Sequence, residues 1–184
     1  ITPVVRHRVY KSAHFMPKEE HAEKVRAVVA ELKKLPVFTW KGKKVILSGL
    51  MGEPDSLLEI FIENNVAVVG DDLAQESRQY RTPIPAGDTP MERLAGQWFE
   101  RGGCSTVHET DATRGAMLVD MAGKAGASGV ALCLMRFCDV EEYEYPLIQA
   151  ACDAAGVYCL CLEIDQSTMD NGQSRTKIQS FAEM

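Results

Sequence analysis

A thiol with an acid beside it, Cys138-Asp139, follows the apolar run Gly129–Leu134 and precedes a glutamate-rich stretch containing Glu141, Glu142 and Glu144. A cysteine in a loop just past a strand can face a cleft, where its thiolate can act as a nucleophile or a soft metal ligand. Cys104 is also placed in a loop, after Gly102-Gly103. A second short apolar run delivers Asp71-Asp72, with Arg78 and Arg81 close behind. Acids and arginines so arranged form either a solvated ion-pair network or the polar wall of a pocket. Arg78, Arg81 and Arg175 are candidates for gripping a substrate carboxylate or phosphate, because the guanidinium is a bidentate fork. Asp71, Asp72, Asp139 and Asp165 are candidates for the pocket wall. His7, His14, His21 and His108 show no metal-binding spacing and are assigned no chemistry.

These groups need a scaffold, and the chain supplies the pattern of one. Lys43–Ser48, Val66–Val69, Gly129–Leu134 and Val157–Ile164 read as strands. Helical segments separate them: Pro54–Asn64 after the first, Met91–Arg101 and Thr113–Gly126 after the second, and Glu141–Gly156 after the third. The polar run Gln166–Ser174 reads as a functional loop, and a short helix over Arg175–Phe181 follows it. Strands alternating with helices predict an α/β fold: a three-layer, open, mostly parallel four-stranded sheet of flavodoxin- or Rossmann-like type. Asp71/Asp72, Cys138/Asp139 and Asp165 then converge at the carboxyl ends of strands, where such sheets bind ligands. Gly49-Leu50-Met51-Gly52 completes neither a GxGxxG fingerprint nor a P-loop, so its glycines are read first as a tight strand-to-helix turn.

Residues 1–16 have no clear periodicity. From Pro17, the apolar positions Ala22, Val25, Val28, Val29, Leu32 and Leu35 mark one face of a helix, read as a packing helix. The domain reading is an N-terminal helical segment, 1–42, linking to a region outside this chain, and an α/β domain, 43–184. The chain opens on Ile1 without an initiator methionine, and is expected to be part of a longer polypeptide.

With 184 residues, 46% of them hydrophobic and 25% charged, the composition is that of a soluble globular protein. A formal net charge of −6 argues against a nucleic-acid surface, and no apolar run is long enough to cross a membrane. The expected setting is cytoplasmic. The six cysteines lie in apolar αβ segments rather than in a loop-rich secreted frame, so reduced thiols are expected, with a metal open to some of them. Cys133, Cys152, Cys159 and Cys161 read as core residues.

Several motifs occur together: Phe15-Met16-Pro17-Lys18-Glu19-Glu20; Asp71-Asp72-Leu73 with Glu76-Ser77-Arg78-Gln79; Arg136-Phe137-Cys138-Asp139 leading into Glu144-Tyr145-Pro146; and Gly172-Gln173-Ser174-Arg175-Thr176 before Phe181-Ala182-Glu183. In this order they resemble the catalytic subunits of the 2-hydroxyacyl-CoA dehydratases, relatives of the benzoyl-CoA reductases. The Glu76–Arg81 stretch looks most like the 2-hydroxyglutaryl-CoA branch.

The resemblance implies a lyase of anaerobic amino-acid fermentation, an oxygen-sensitive heterodimer with a [4Fe–4S] cluster in each subunit. It further implies a homologous second subunit, a separate ATP-dependent iron–sulfur activator and an acyl-CoA substrate. One injected electron would reduce the thioester to a ketyl radical anion, which expels the 2-hydroxyl. Deprotonation and return of the electron then give the enoyl-CoA. The family's cluster-ligand cysteine maps onto Cys138, and Cys104 is a second candidate ligand. The remaining ligands would come from an N-terminal domain of the same subunit that lies outside this chain, so the chain alone is expected to be inactive. Three other readings stay open: a benzoyl-CoA reductase subunit, a non-catalytic electron-relay subunit, and a zinc domain using Cys133, Cys138, Cys159 and Cys161. The last fits zinc-site spacing poorly.

Overall fold

Val45, Ile46 and Leu47 are apolar on both strand faces, as a strand covered by helices on each side requires. The structure, a computed structural model, describes residues 1–104, 113–165 and 172–184. The polar runs 105–112 and 166–171, which include His108 and most of the expected Gln166–Ser174 loop, lie outside the described residues. Four parallel strands, β1 (Lys44–Gly49), β2 (Ala67–Leu73), β3 (Gly129–Met135) and β4 (Tyr158–Ile164), stand in the order β2-β1-β3-β4. That order places a topological switch point between β1 and β3.

Helices cover both faces. Val45, Leu47, Ala131, Cys133, Leu160 and Leu162 pack with Leu57, Ile60 and Phe61 of α3 (Asp55–Glu63) and with Ile178 and Phe181 of α8 (Gly172–Glu183). The opposite face sets Ile46, Val130, Leu132 and Leu134 against Leu118 and Ala122 of α6 (Arg114–Ala125) and Ile148 and Cys152 of α7 (Asp139–Ala155). The three-layer parallel sheet is therefore as expected from the sequence. Gly49 ends β1 at φ +137°, and a Cβ there would come within 2.3 Å of the Cys133 carbonyl oxygen. The Gly49–Gly52 loop is thus a glycine-dependent turn pressed against β3.

Several details differ from the sequence reading. Residues Pro3–Ser12 form a helix, α1, capped by Thr2, whose Oγ1 accepts from the Val5 amide at 3.3 Å. Val4 joins the core, but its other anchors are charged, so it has no apolar stripe to detect. The expected packing helix exists as α2 (Lys18–Leu32), yet none of its residues is buried, and Val28 and Val29 are 43% and 40% exposed. Its apolar side and the α1 residues Val9 and Tyr10 line an open groove instead. β2 runs further than expected, through Asp71 and Asp72, after a register irregularity at Val69. A four-residue helix, α4 (Arg78–Arg81), follows it, and α5 (Pro90–Phe99) precedes α6. Cys159 and Cys161 share one face but are only half-buried, because β4 is the edge strand. Among the described residues, no helix is long and apolar enough to cross a membrane.

Candidate functional site

Alternation along β2 sends its two neighbouring acids to opposite faces of the sheet. Asp71, level with Leu47, turns toward α1: it pairs with Arg6 and accepts from the amides of Leu73 at 3.0 Å and Ser77 at 3.1 Å. Asp72, level with Ser48, turns toward α6 and becomes the centre of a buried ion cluster.

Asp72 accepts from Ser48 Oγ at 3.1 Å, from Arg78 Nη2 at 2.9 Å and from Arg114 Nε at 3.3 Å, and it pairs with Arg81. Arg78 also donates to the carbonyls of Gly49 at 3.2 Å and Asp72 at 2.7 Å, and to the sulfur of Cys104 at 3.6 Å. Arg114, at the first position of α6, reaches three structures at once. Its Nη2 donates to Ser48 Oγ at 2.8 Å, and its Nη1 to Glu141 at 3.1 Å and Glu144 at 2.6 Å. Burial works against its charge, but the fields of Glu141 and Asp72 outweigh that and hold its pKa above the usual arginine value. A charge-compensated cluster of this kind is tolerable in the interior only because each member has partners.

Cys138 stands beside this cluster. A tight turn leaves β3: the Cys138 amide donates to the Met135 carbonyl at 3.0 Å, and Phe137 adopts a φ of +67°. Cys138 is then the N-cap residue of α7, and its carbonyl accepts from the Glu142 amide at 3.1 Å. It is half-buried, whereas Cys133, one strand-length back, is sealed in the core with its thiol pushed up to about 12, chiefly by burial. Of the thiols in the β3–α7 unit, Cys138 alone lies at the carboxyl edge of the sheet near the switch point.

The structure thus brings Asp72, Arg78, Arg81 and Cys104 into one group and adds Ser48, Arg114, Glu141 and Glu144, which the sequence reading had not placed there. Nothing local in the sequence around Glu141 and Glu144 signals a buried arginine 27 and 30 residues away. Asp139 is exposed in the first turn of α7, and Asp165 is half-buried just after β4. Arg175 is an exposed residue of α8 and pairs with Glu63, which closes the last turn of α3 on the way back to the start of β2. It does not join the cluster around Asp72.

The alternative zinc reading is not supported by the placement of its cysteines. Cys133 belongs to the α3/α8 face, while Cys159 and Cys161 pack against the α6/α7 face, so the sheet separates them. None of the six cysteines is joined to another by a disulfide. Among the described residues, no group of three or more His, Cys, Asp or Glu side chains could hold a metal ion. A [4Fe–4S] cluster takes thiolates at three or four irons. The donors here fit one thiolate of such a set, not the whole.

Comparison with known proteins follows the same lines. The family model described as "2-hydroxyglutaryl-CoA dehydratase, D-component" matches residues 1–184. The chain is 44% identical over 183 residues to the (R)-phenyllactyl-CoA dehydratase beta subunit of Clostridium sporogenes, covering 100% of this chain and 49% of that protein. It is 42% identical over 185 residues to the lactoyl-CoA dehydratase subunit beta of Anaerotignum propionicum, covering 100% of this chain and 50% of that one. Against the (R)-2-hydroxyglutaryl-CoA dehydratase subunit beta of Acidaminococcus fermentans, identity is 32% over 183 residues, with 97% and 48% covered. The chain spans about half the length of the curated relatives it matches.

Proposed function

Because the chain belongs to the 2-hydroxyglutaryl-CoA dehydratase D-component family, we propose that it is the cluster-side α/β domain of a 2-hydroxyacyl-CoA dehydratase subunit. In this reading the whole enzyme removes water from a 2-hydroxyacyl-CoA to give an enoyl-CoA, by way of a ketyl radical anion formed after ATP-driven one-electron injection. The single observation that carries the reading within this chain is Cys138. It is a half-buried thiol at a helix N-terminus, on the carboxyl edge of a parallel sheet, beside the switch point.

Cys138 would supply one thiolate to a [4Fe–4S] cluster, which when bound provides one-electron chemistry at low potential. The other ligands would come from outside the described residues, with Cys104 a second candidate from this chain. Cys133, buried and with a raised pKa, is suited to packing only.

The arginines divide by exposure. Arg78, 1% exposed, directs its fork at Asp72 and backbone carbonyls, which supports a structural role. Arg81 and Arg175 remain the proposed contacts for substrate carboxylate or CoA phosphate, with Asp139 and Asp165 lining the approach. The partners proposed are the remaining portion of the same subunit, a homologous second subunit and an ATP-dependent iron–sulfur activator.

The test is product analysis under anaerobic conditions with the full-length subunit, its partner and the activator. Mass spectrometry should show an enoyl-CoA, the substrate less one water. A cyclohexadienoyl-CoA formed from benzoyl-CoA, without dehydration of any 2-hydroxyacyl-CoA, would instead identify a ring reductase.

A further inference from the structure

Within its own segment, the turn that carries Cys138 is held by backbone hydrogen bonds, from the Cys138 amide to Met135 and from the Glu142 amide to Cys138. Phe137 is 89% exposed and Asp139 is exposed, so neither packs the thiol in place. The rigid attachment lies one turn further on, at Glu141 and Glu144. Glu141 is 2% exposed and receives Arg114 Nη1 at 3.1 Å and Nη2 at 3.4 Å; Glu144 receives Nη1 at 2.6 Å. The other side of the same guanidinium is fixed to the neighbouring strand ends, through Ser48 of β1 at 2.8 Å and Asp72 of β2 at 3.3 Å.

A second observation shows why this reach is possible. Gly115, next to Arg114, faces the α7 backbone so closely that a Cβ would come within 2.8 Å of Ala151 Cβ and 3.4 Å of the Leu147 carbonyl oxygen. The start of α6 is therefore seated directly on α7. The start of α6 thus meets α7 at two levels, at Gly115 against the middle of the helix and at Arg114 against Glu141 and Glu144 near its start.

We propose that Arg114 is a positioning residue for the thiolate of Cys138: it clamps the first turn of α7 to the ends of β1 and β2 and so fixes where the sulfur is presented. This rests on the reading of Cys138 as a cluster ligand. Groups that orient a metal's direct ligands typically change metal affinity about 10–100-fold when altered. Arginine is required because lysine offers one compact ammonium and cannot bridge two strand ends and two carboxylates with a planar fork.

The experiment uses the full-length subunit assembled with its partner, prepared anaerobically. R114K keeps the buried charge but loses the fork. E144Q, altering a side chain 18% exposed, weakens only the α7 end of the clamp and serves if R114K fails to fold. The expected result for R114K is iron release to a chelator about 10-fold faster than wild type, with an altered electron-spin resonance signal of the reduced cluster. E144Q should shift both in the same direction by less. In cluster-free protein, Cys138 should also be alkylated faster in R114K. Release rate, spectrum and alkylation all matching wild type in a folded variant would overturn the proposal. Cys138→Ala separates the levels: if it loses iron while the Arg114 and Glu144 variants behave as wild type, only the clamp is wrong. If Cys138→Ala keeps its iron, the ligand reading beneath the clamp is wrong as well.

Discussion

Asp72 shows how far a residue's role can lie from its neighbourhood in the sequence. Beside Asp71 it reads as half of an acid pair, yet the pleat sends the two side chains to different layers, one to α1 and one to α6. The sequence shows the residue types of the cluster: an acid pair with arginines close behind it. Its pairing is not legible, because Ser48 and Arg114 meet Asp72, and Glu141 meets Arg114, only through the sheet register and the docking of α6. Removing one member of a buried ion cluster leaves the others charged and without compensation, which costs about 3–5 kcal/mol. Asp72→Asn, which keeps the shape but not the charge, is expected to lower unfolding free energy in urea by about that amount, with Arg78 and Arg114 stranded. A change under about 1 kcal/mol would mean that the cluster is solvated in solution, as surface pairs are.

At the scale of elements, the strands were readable because a strand covered on both faces is a continuous apolar run, and the helices of the α/β unit because each buries one stripe. α1 was not readable, since charge rather than an apolar stripe anchors it. Arg6 meets Asp71 and Glu76, Arg8 meets Asp55, and Lys11 meets Glu53. His7 is buried among them, with Nδ1 2.6 Å from Glu76 and Nε2 3.6 Å from Glu53. Its hydrogen bond to Glu76 raises its pKa above 6.5; burial opposes the shift, the charges of Glu76 and Glu53 add to it, and that of Lys11 subtracts. A group with a raised folded pKa contributes stability that is complete below the unfolded value and disappears as pH rises through the folded one. The docking of α1 should therefore weaken as pH rises above 6.5, the unshifted value. Urea midpoints measured from about pH 6 to pH 9 should fall for wild type and fall less for His7→Gln. Parallel pH profiles for the two proteins would remove His7 from the account.

For the whole molecule, the layer order and parallel sheet followed from the alternation of elements, but what covers the outside did not. Met91, Leu94, Trp98 and Phe99 are exposed on α5, and Val140, Tyr143 and Leu147 form an exposed stripe on α7 just past Cys138. Exposed apolar side chains grouped on one helix face are the kind of surface that associates with a partner when they form a patch. In a chain that spans about half the length of its relatives, these surfaces support the reading of one domain within a larger assembly. Under the proposed function, that assembly would supply the ligands that complete a cluster held in part by the Cys138 thiol.

That thiol is where the account is most exposed to contradiction. The direct measurement is the anaerobic iron and sulfide content of the full-length subunit with its partner, wild type against Cys138→Ala. Loss of about four irons from this subunit, with the fold and the partner retained, is the result predicted for a ligand of a [4Fe–4S] cluster. Unchanged iron and sulfide would contradict it, leaving Cys138 as the N-cap residue of a helix and the sheet edge as a binding site for some other ligand.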